Sequence, residues 1–294
     1  KDLGADLVRF DIETKINPHA PEATLPPEDR EYLLAIARKT WGYFETFVGD
    51  TDQHLPPDNV QVQPATTIAH RTSPTNIGLG LLATLSAFDL KFIDADTCLR
   101  RINATLDTVE RLQRYEGHLL NWYNTQTLEP LSPRYVSTVD SGNLAGALVT
   151  IAAGLRDIAP GIAARATALF DAMDFRFLYD PKRRLFAIGY RLADADHPGR
   201  LDTASYDLLA SEARLASFMA IAKGDVPEKH WFHLGRPTTS LRGSPVLLSW
   251  SATLFEYLMP LLLMRSSPET LLDDSCRLVV RRQRAYADAI GVPW

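Results

Sequence analysis

The chain has 294 residues, 46% of them hydrophobic and 23% charged, and carries a formal net charge of −5 at pH 7. That balance excludes a disordered or fibrous polypeptide, and its acidic sign argues against a partner held by a basic surface, so nucleic acid is not expected. Two cysteines, Cys98 and Cys276, exclude a disulfide scaffold and suit a reducing compartment.

Residues 1–27 hold prolines at 18, 21, 26 and 27 and lack an apolar signal-peptide core, so they read as a linker or N-terminal arm ahead of a domain over 28–294. Tyr32, Leu33, Ile36, Ala37, Trp41, Phe44 and Phe47 then recur at helical intervals, the stripe of a buried helix ending near Gly49. A polar, proline-bearing loop over 51–74 leads into helices over 75–90 and 94–115. Further helical patterns cover 141–158, 161–173, 206–223, 249–265 and 268–290. The strand signal at 184–192, behind an Asp180-Pro181 turn, predicts one short β-hairpin. The expected fold is all-α: stacked helical hairpins, about four of them, with polar and aromatic motifs gathered in long loops on one face. The longest apolar stretch, 254–264, runs eleven residues and contains Glu256 and Pro260, against the ~20 needed to cross a bilayer. No membrane span is expected.

Glu212 is the sharpest local anomaly. On a helix its neighbours one turn away are Leu208, Leu209, Leu215 and Ala216, so the carboxylate falls on the apolar stripe. Burial raises a carboxyl pKa and holds a proton near neutral pH, as a general acid requires; the bland alternative is a glutamate satisfied by an arginine at a helix contact. Asp140 precedes a long apolar helix and reads as an N-cap, while Ser141 and Asn143 beside it suit hydroxyl recognition. Glu256 lies inside an apolar run ahead of Pro260, where it either contacts substrate or organises a proline distortion. Tyr206 and Asp207 precede Glu212, and Asp207 reads equally as an acid complementing a helix start. Trp122 and Trp250 offer flat faces that suit a sugar ring, though tryptophans are also ordinary core residues. Arg71 and Asn76, in the loop over 70–76, suit an anion or sugar hydroxyls, and Arg71 reads equally as a loop anchor.

Other chemistries find little support. His230 and His233 flank Trp231 and Phe232 without a neighbouring acidic ligand, so no metal is expected. Gly78 and Gly80 follow no strand and form no dinucleotide fingerprint. No phosphate loop or nucleophile-elbow serine is present, and no cofactor is expected.

Taken together, the segments 70–76, 117–123, 135–143, 206–214, 229–231 and 249–260 resemble, in order, the glycoamylase-like domain of cyclic β-1,2-glucan synthases. The resemblance implies an incomplete (α/α)6 toroid truncated at its C-terminal end. It also implies a β-1,2-glucan partner and a retaining transglycosylation that closes linear chains into rings. Glu212 matches the expected general acid/base, and the second carboxylate is expected just beyond the motif at 291–294. On that expectation the isolated chain is inactive. Ala252 departs from the glycine usual in its motif. The resemblance further implies a parent with glucosyltransferase and phosphorylase-like modules, this chain being a cytoplasmic domain of an inner-membrane protein. The alternatives are an endo-β-1,2-glucanase-like hydrolase and a non-catalytic glucan-binding or scaffolding module.

Overall fold

The structure, a computed structural model, describes residues 25–292 except Asp196 and Arg242. The expected arm over 1–27 lies for the most part outside the described residues. Helix α1, Pro27–Phe47, starts with proline at its first turn and Glu28 and Asp29 beside it, an arrangement suited to a helix N-terminus. Its predicted stripe is only partly buried. Trp41 packs inward under the Arg101 guanidinium, 5.1 Å from the ring centroid, but Tyr32 is 67% exposed and Leu33 and Ile36 are also exposed. The first half of α1 thus extends past the body it packs on.

Helix α2, Pro74–Asp89, is capped by Ser73, whose hydroxyl accepts from the Asn76 N–H. Helix α3, Ala95–Arg111, is capped by Asp94 and sends Cys98, Ile102, Leu106 and Val109 inward at helical spacing. Helix α4, Thr138–Leu155, is apolar on nearly every face and packs on α2, on α5 (Pro160–Asp171) and on α6 (Arg214–Lys223). A helix apolar all round belongs at the centre. The contacts need small residues. A Cβ on Gly142 would stand 2.5 Å from Ala216 Cα, and one on Gly78 3.1 Å from Ala147 Cβ. Thr75 of α2 reaches Asp140 of α4, and Asn143 of α4 reaches Glu212 just ahead of α6. The N-terminal ends of helices α2, α4 and α6 therefore meet. Arg165 of α5 pairs with Asp107 and Glu110 of α3, tying two further helices together.

The chain closes with α7 (Lys229–His233), α8 (Leu254–Leu258), a 3₁₀ turn over Met259–Leu262, and α9 (Leu271–Ile290). The apolar residues form one main core and a smaller cluster built on Leu209, Leu234, Leu247, Tyr257 and Cys276. Among the described residues no helix is long and apolar enough to cross a membrane.

Three expectations need correction. The strand signal at 184–192 is not one hairpin: Leu185–Ala187 pairs with Tyr179–Asp180 and Ser205–Tyr206, whereas Gly189–Arg191 pairs with Tyr135–Ser137 and Arg200–Leu201. The first of these pairs is the hairpin expected across the Asp180-Pro181 turn, but the run splits at Ile188 between two three-stranded sheets, and the strand at Tyr135–Ser137 comes from a distant loop, which local alternation cannot reveal. A separate hairpin joins Thr238–Leu241 to Ser244–Leu247. The predicted helix over 206–223 begins only at Arg214. The one over 249–265 contracts to α8 and its 3₁₀ turn, since Pro260 lacks the N–H that a continuous helix needs.

Candidate active site

Glu212 is not helical; it sits in the turn immediately before α6. The preceding segment is held as extended chain, with Leu209 N–H donating to Gly235 O at 2.9 Å and Gly235 N–H to Asp207 O at 2.6 Å. Arg214 then locks the turn. This guanidinium, 1% exposed, donates to Ser211 O at 3.0 Å, Glu256 O at 2.8 Å and Tyr257 O at 2.5 Å. It has no carboxylate partner among these bonds, and burial pulls its pKa down to about 10. The turn bearing Glu212 and the helix bearing Glu256 are thus stapled by one buried cation.

Burial pushes the Glu212 carboxyl up to about 7; the charges of Asp140 and Glu256 push the same way, against a hydrogen bond from Asn143. Asn143 Nδ2 donates to Glu212 Oε1 at 3.4 Å and to Thr75 Oγ1 at 3.0 Å. The Thr75 hydroxyl donates in turn to Asp140 Oδ1 at 2.6 Å, and Asn121 Nδ2 to Asp140 Oδ2 at 3.1 Å. The half-buried Tyr206 phenol is raised by burial and then by Glu212 and Asp140.

Asp140 is not the N-cap of α4. Ser137 takes that place, accepting from Asp140 N–H at 3.3 Å, which leaves the aspartate side chain to accept from Thr75 and Asn121. Asn143 is 2% exposed, so it stands behind Glu212 rather than at an open surface. The Glu256 carboxylate accepts from six donors of its own loop: Ser249 Oγ, Trp250 N, and both the backbone N and hydroxyl of Ser251 and Thr253. Burial opposes its ionisation, but these bonds, led by Ser251, prevail and hold its pKa below the usual carboxylate value. These contacts match neither expected role: the side chain caps the start of α8 rather than organising the Pro260 distortion, where the Glu256 carbonyl is met by Arg214. The carboxylate fastens a loop that presents Trp250, 58% exposed. Asp207 is exposed and engaged through its carbonyl.

A second cluster stands beside Asn121. The Arg71 guanidinium lies 5.2 Å from the Trp122 ring centroid and donates twice to Asp58 Oδ2, at 3.2 and 2.9 Å. Asn76 Nδ2 reaches Asp58 Oδ1 at 3.4 Å. Asp58 therefore fixes both Arg71 and Asn76. His70 turns instead to Asp52, its Nδ1 2.7 Å from Oδ1. His230 is a core residue, its ring nitrogens bonded to Arg184 O and Ser217 Oγ. Among the described residues no group of three His, Cys, Asp or Glu side chains is arranged to hold a metal ion.

The structure thus brings Glu212, Asp140, Asn143, Tyr206 and the Glu256–Trp250 loop together, with Arg71, Asn76 and Trp122 joined through Asn121. Sequence reasoning missed Thr75, Asn121, Asp58 and Arg214. One signal was available: α2 and α4 are mostly apolar helices whose polar residues gather in the first turns, Thr75 and Asn76 in one and Asp140, Ser141 and Asn143 in the other.

Residues 35–155 match the protein family of unknown function DUF3131. The chain is 33% identical, in an alignment spanning 392 positions, to the cyclic beta-(1,2)-glucan synthase NdvB of Rhizobium meliloti; the match covers 90% of this chain and 14% of that protein. The likeness drawn from the motifs therefore holds along nearly the whole sequence, and the chain spans about one seventh of this relative. Among solved structures, the endo-beta-1,2-glucanase of Talaromyces funiculosus with sophorose superposes with a TM-score of 0.76 at 11% identity, covering 90% of this chain and 64% of that one. The endo-beta-1,2-glucanase of Chitinophaga pinensis, with sophorotriose and glucose, gives 0.74 at 14% identity, covering 87% and 66%. The fold is that of the glucoamylase-like (α/α)6 toroid, incomplete here, with small sheets in its loops.

Proposed function

We propose that this chain carries the acid/base half of a site that cleaves and re-forms β-1,2-glucosidic bonds, closing linear β-1,2-glucan into rings by retaining transglycosylation. The observation that carries the reading is Glu212, half-buried beside Asp140 and Tyr206, with its pKa pushed up to about 7. A carboxylic acid still protonated near neutrality donates to the departing glycosidic oxygen, and the resulting carboxylate takes the proton of the incoming hydroxyl. The relatedness to a cyclic glucan synthase supports the choice of bond and of acceptor.

A retaining displacement needs a second carboxylate about 5–5.5 Å from the first. The acids that act on Glu212 electrostatically are Asp140 and Glu256, and both have their two oxygens engaged by hydrogen bonds. Neither is the nucleophile in this reading, which assigns that role to a residue outside the described ones. Trp250 and the Arg71–Trp122 pair supply flat faces for successive glucose rings. The same reading makes the chain one module beside glucosyltransferase and phosphorylase-like neighbours on the cytoplasmic side of an inner membrane.

The test is incubation of linear β-1,2-glucan with the protein in its full-length form. Cyclic product is expected, and Glu212→Gln abolishes it. Short linear oligosaccharides in place of rings assign the chain to hydrolysis. Rings formed at the normal rate by the Glu212→Gln protein leave only a binding role.

A further inference from the structure

Glu212 has two oxygens, and the hydrogen bonds around it distinguish them. The Thr75 hydroxyl has one hydrogen and gives it to Asp140 Oδ1 across 2.6 Å, the short distance of a charge-assisted bond. A hydroxyl that has spent its only hydrogen can meet a third group only as an acceptor. Thr75 Oγ1 therefore turns a lone pair toward Asn143, and the amide answers with Nδ2 at 3.0 Å. The reversed amide would set Oδ1 against that lone pair. In the orientation present, Oδ1 is buried without a hydrogen-bond partner, so the donors decide which way the group faces. The second hydrogen of Nδ2 is left for Glu212 Oε1.

Resting on the acid/base reading of Glu212, we propose that Thr75, anchored by Asp140, is a positioning residue for the general acid. It fixes the Asn143 amide so that Glu212 Oε1 is committed as an acceptor and Oε2 is the oxygen that carries the proton in transit. Neither Thr75 nor Asn143 touches the reacting atoms, and the buried Asn143 leaves the set of sugar contacts. Asp140 becomes the anchor of the relay rather than a candidate nucleophile.

The groups acting on Glu212 come from three sides: Asp140 and Asn143 from α4, Glu256 from α8, and Tyr206 from the strand Ser205–Tyr206. Removing the Thr75 hydroxyl frees the amide and takes away the one donor that favours the Glu212 carboxylate, whereas removing the Asp140 charge takes away a repulsion. The two changes have opposite signs. The test is a ¹³C NMR titration of glutamate side-chain carboxyls, with Glu212 assigned by its loss in Glu212→Gln. Thr75→Val should raise the Glu212 midpoint by roughly half to one pH unit, the scale of one hydrogen bond to a charged oxygen. Thr75→Ser should leave it in place and Asp140→Asn should lower it. If Thr75→Val fails to fold, Thr75→Ala asks the same question. An unmoved or lowered midpoint in the variant without a hydroxyl overturns the proposal, as does Thr75→Ser shifting as far as Thr75→Val or Asp140→Asn shifting upward. The titration needs no turnover, so it stands apart from the product assay, whose failure would strike the acid/base reading instead.

Discussion

The turn around Glu212 and the loop around Glu256 begin from similar sequence, an acid set among leucines and alanines or aromatics, and end with opposite chemistry. Both carboxyls are desolvated, which by itself raises a pKa in each. Glu256 collects six donors and is held ionised. Glu212 receives one long bond from Asn143 and the repulsion of two neighbouring acids, and it keeps its proton. Burial therefore does not decide which acid keeps its proton; the supply of donors does.

The comparison breaks most visibly at Arg214, which holds the two regions together. Arg214→Met removes the donors of three carbonyls, those of Ser211, Glu256 and Tyr257. With orphaned buried acceptors costing ~1–3 kcal/mol each, partly relieved by water, the loss should be about 3 kcal/mol or more in urea unfolding. A loss under about 1 kcal/mol would mean that the two regions hold their shapes independently.

A smaller effect sharpens the contrast through pH. The Glu212 pKa rises on folding from 4.5 to about 7, so between those values the unfolded chain has released a proton that the native protein still holds. Stability therefore falls as pH rises through that window. Glu256 has the opposite sign: its lowered pKa contributes stability above the unfolded value of 4.5 that is lost as pH falls through the folded one. Thermal midpoints of Glu212→Gln should overtake wild type as pH climbs from about 5 to 8, while Glu256→Gln should be penalised at neutral pH and recover in acid. Parallel curves for the two variants would erase the distinction.

Much of this was legible in the sequence, though not always for the right reason. The apolar periods of α2 to α5 located those helices because tertiary packing there follows the local pattern. A helical wheel puts Glu212 on an apolar stripe, yet its segment is extended through Leu209 and turns at Ser211; the backbone pairing with Gly235 that holds this shape is a contact no wheel contains. The fate of Glu256 was written in the chain, since Thr253-Leu254-Phe255-Glu256 has the spacing of a capping box. Most strands run two or three residues, too short to show a period of two, and the pairs Arg71–Asn124 and Gly189–Ser137 join segments about fifty residues apart. Thr75 was invisible for a simpler reason: one hydroxyl in a cap sequence gains its role only when α4 brings Asp140 and Asn143 beside it.

The smallest expected effect concerns the rim of the site, where Trp122 carries the Arg71 guanidinium over its ring. Arg71 is already fixed by two bonds to Asp58, so the stack is not needed to hold the arginine. The ring is partly buried and its neighbour Tyr123 is wholly so, which puts the load of the local core on the tyrosine. Trp122→Ala should therefore leave the thermal transition nearly in place and weaken binding of linear β-1,2-glucan about tenfold by calorimetry, the loss of roughly 1.4 kcal/mol expected when one aromatic face is removed. Arg71→Lys should cost less, because the ammonium keeps the charge beside Asp58 but not the planar fork or the stack. If Trp122→Ala instead lowers the transition steeply and the folded fraction binds glucan as before, the ring belongs to the core, and the sugar-facing surface narrows to the loop that Glu256 fastens around Trp250.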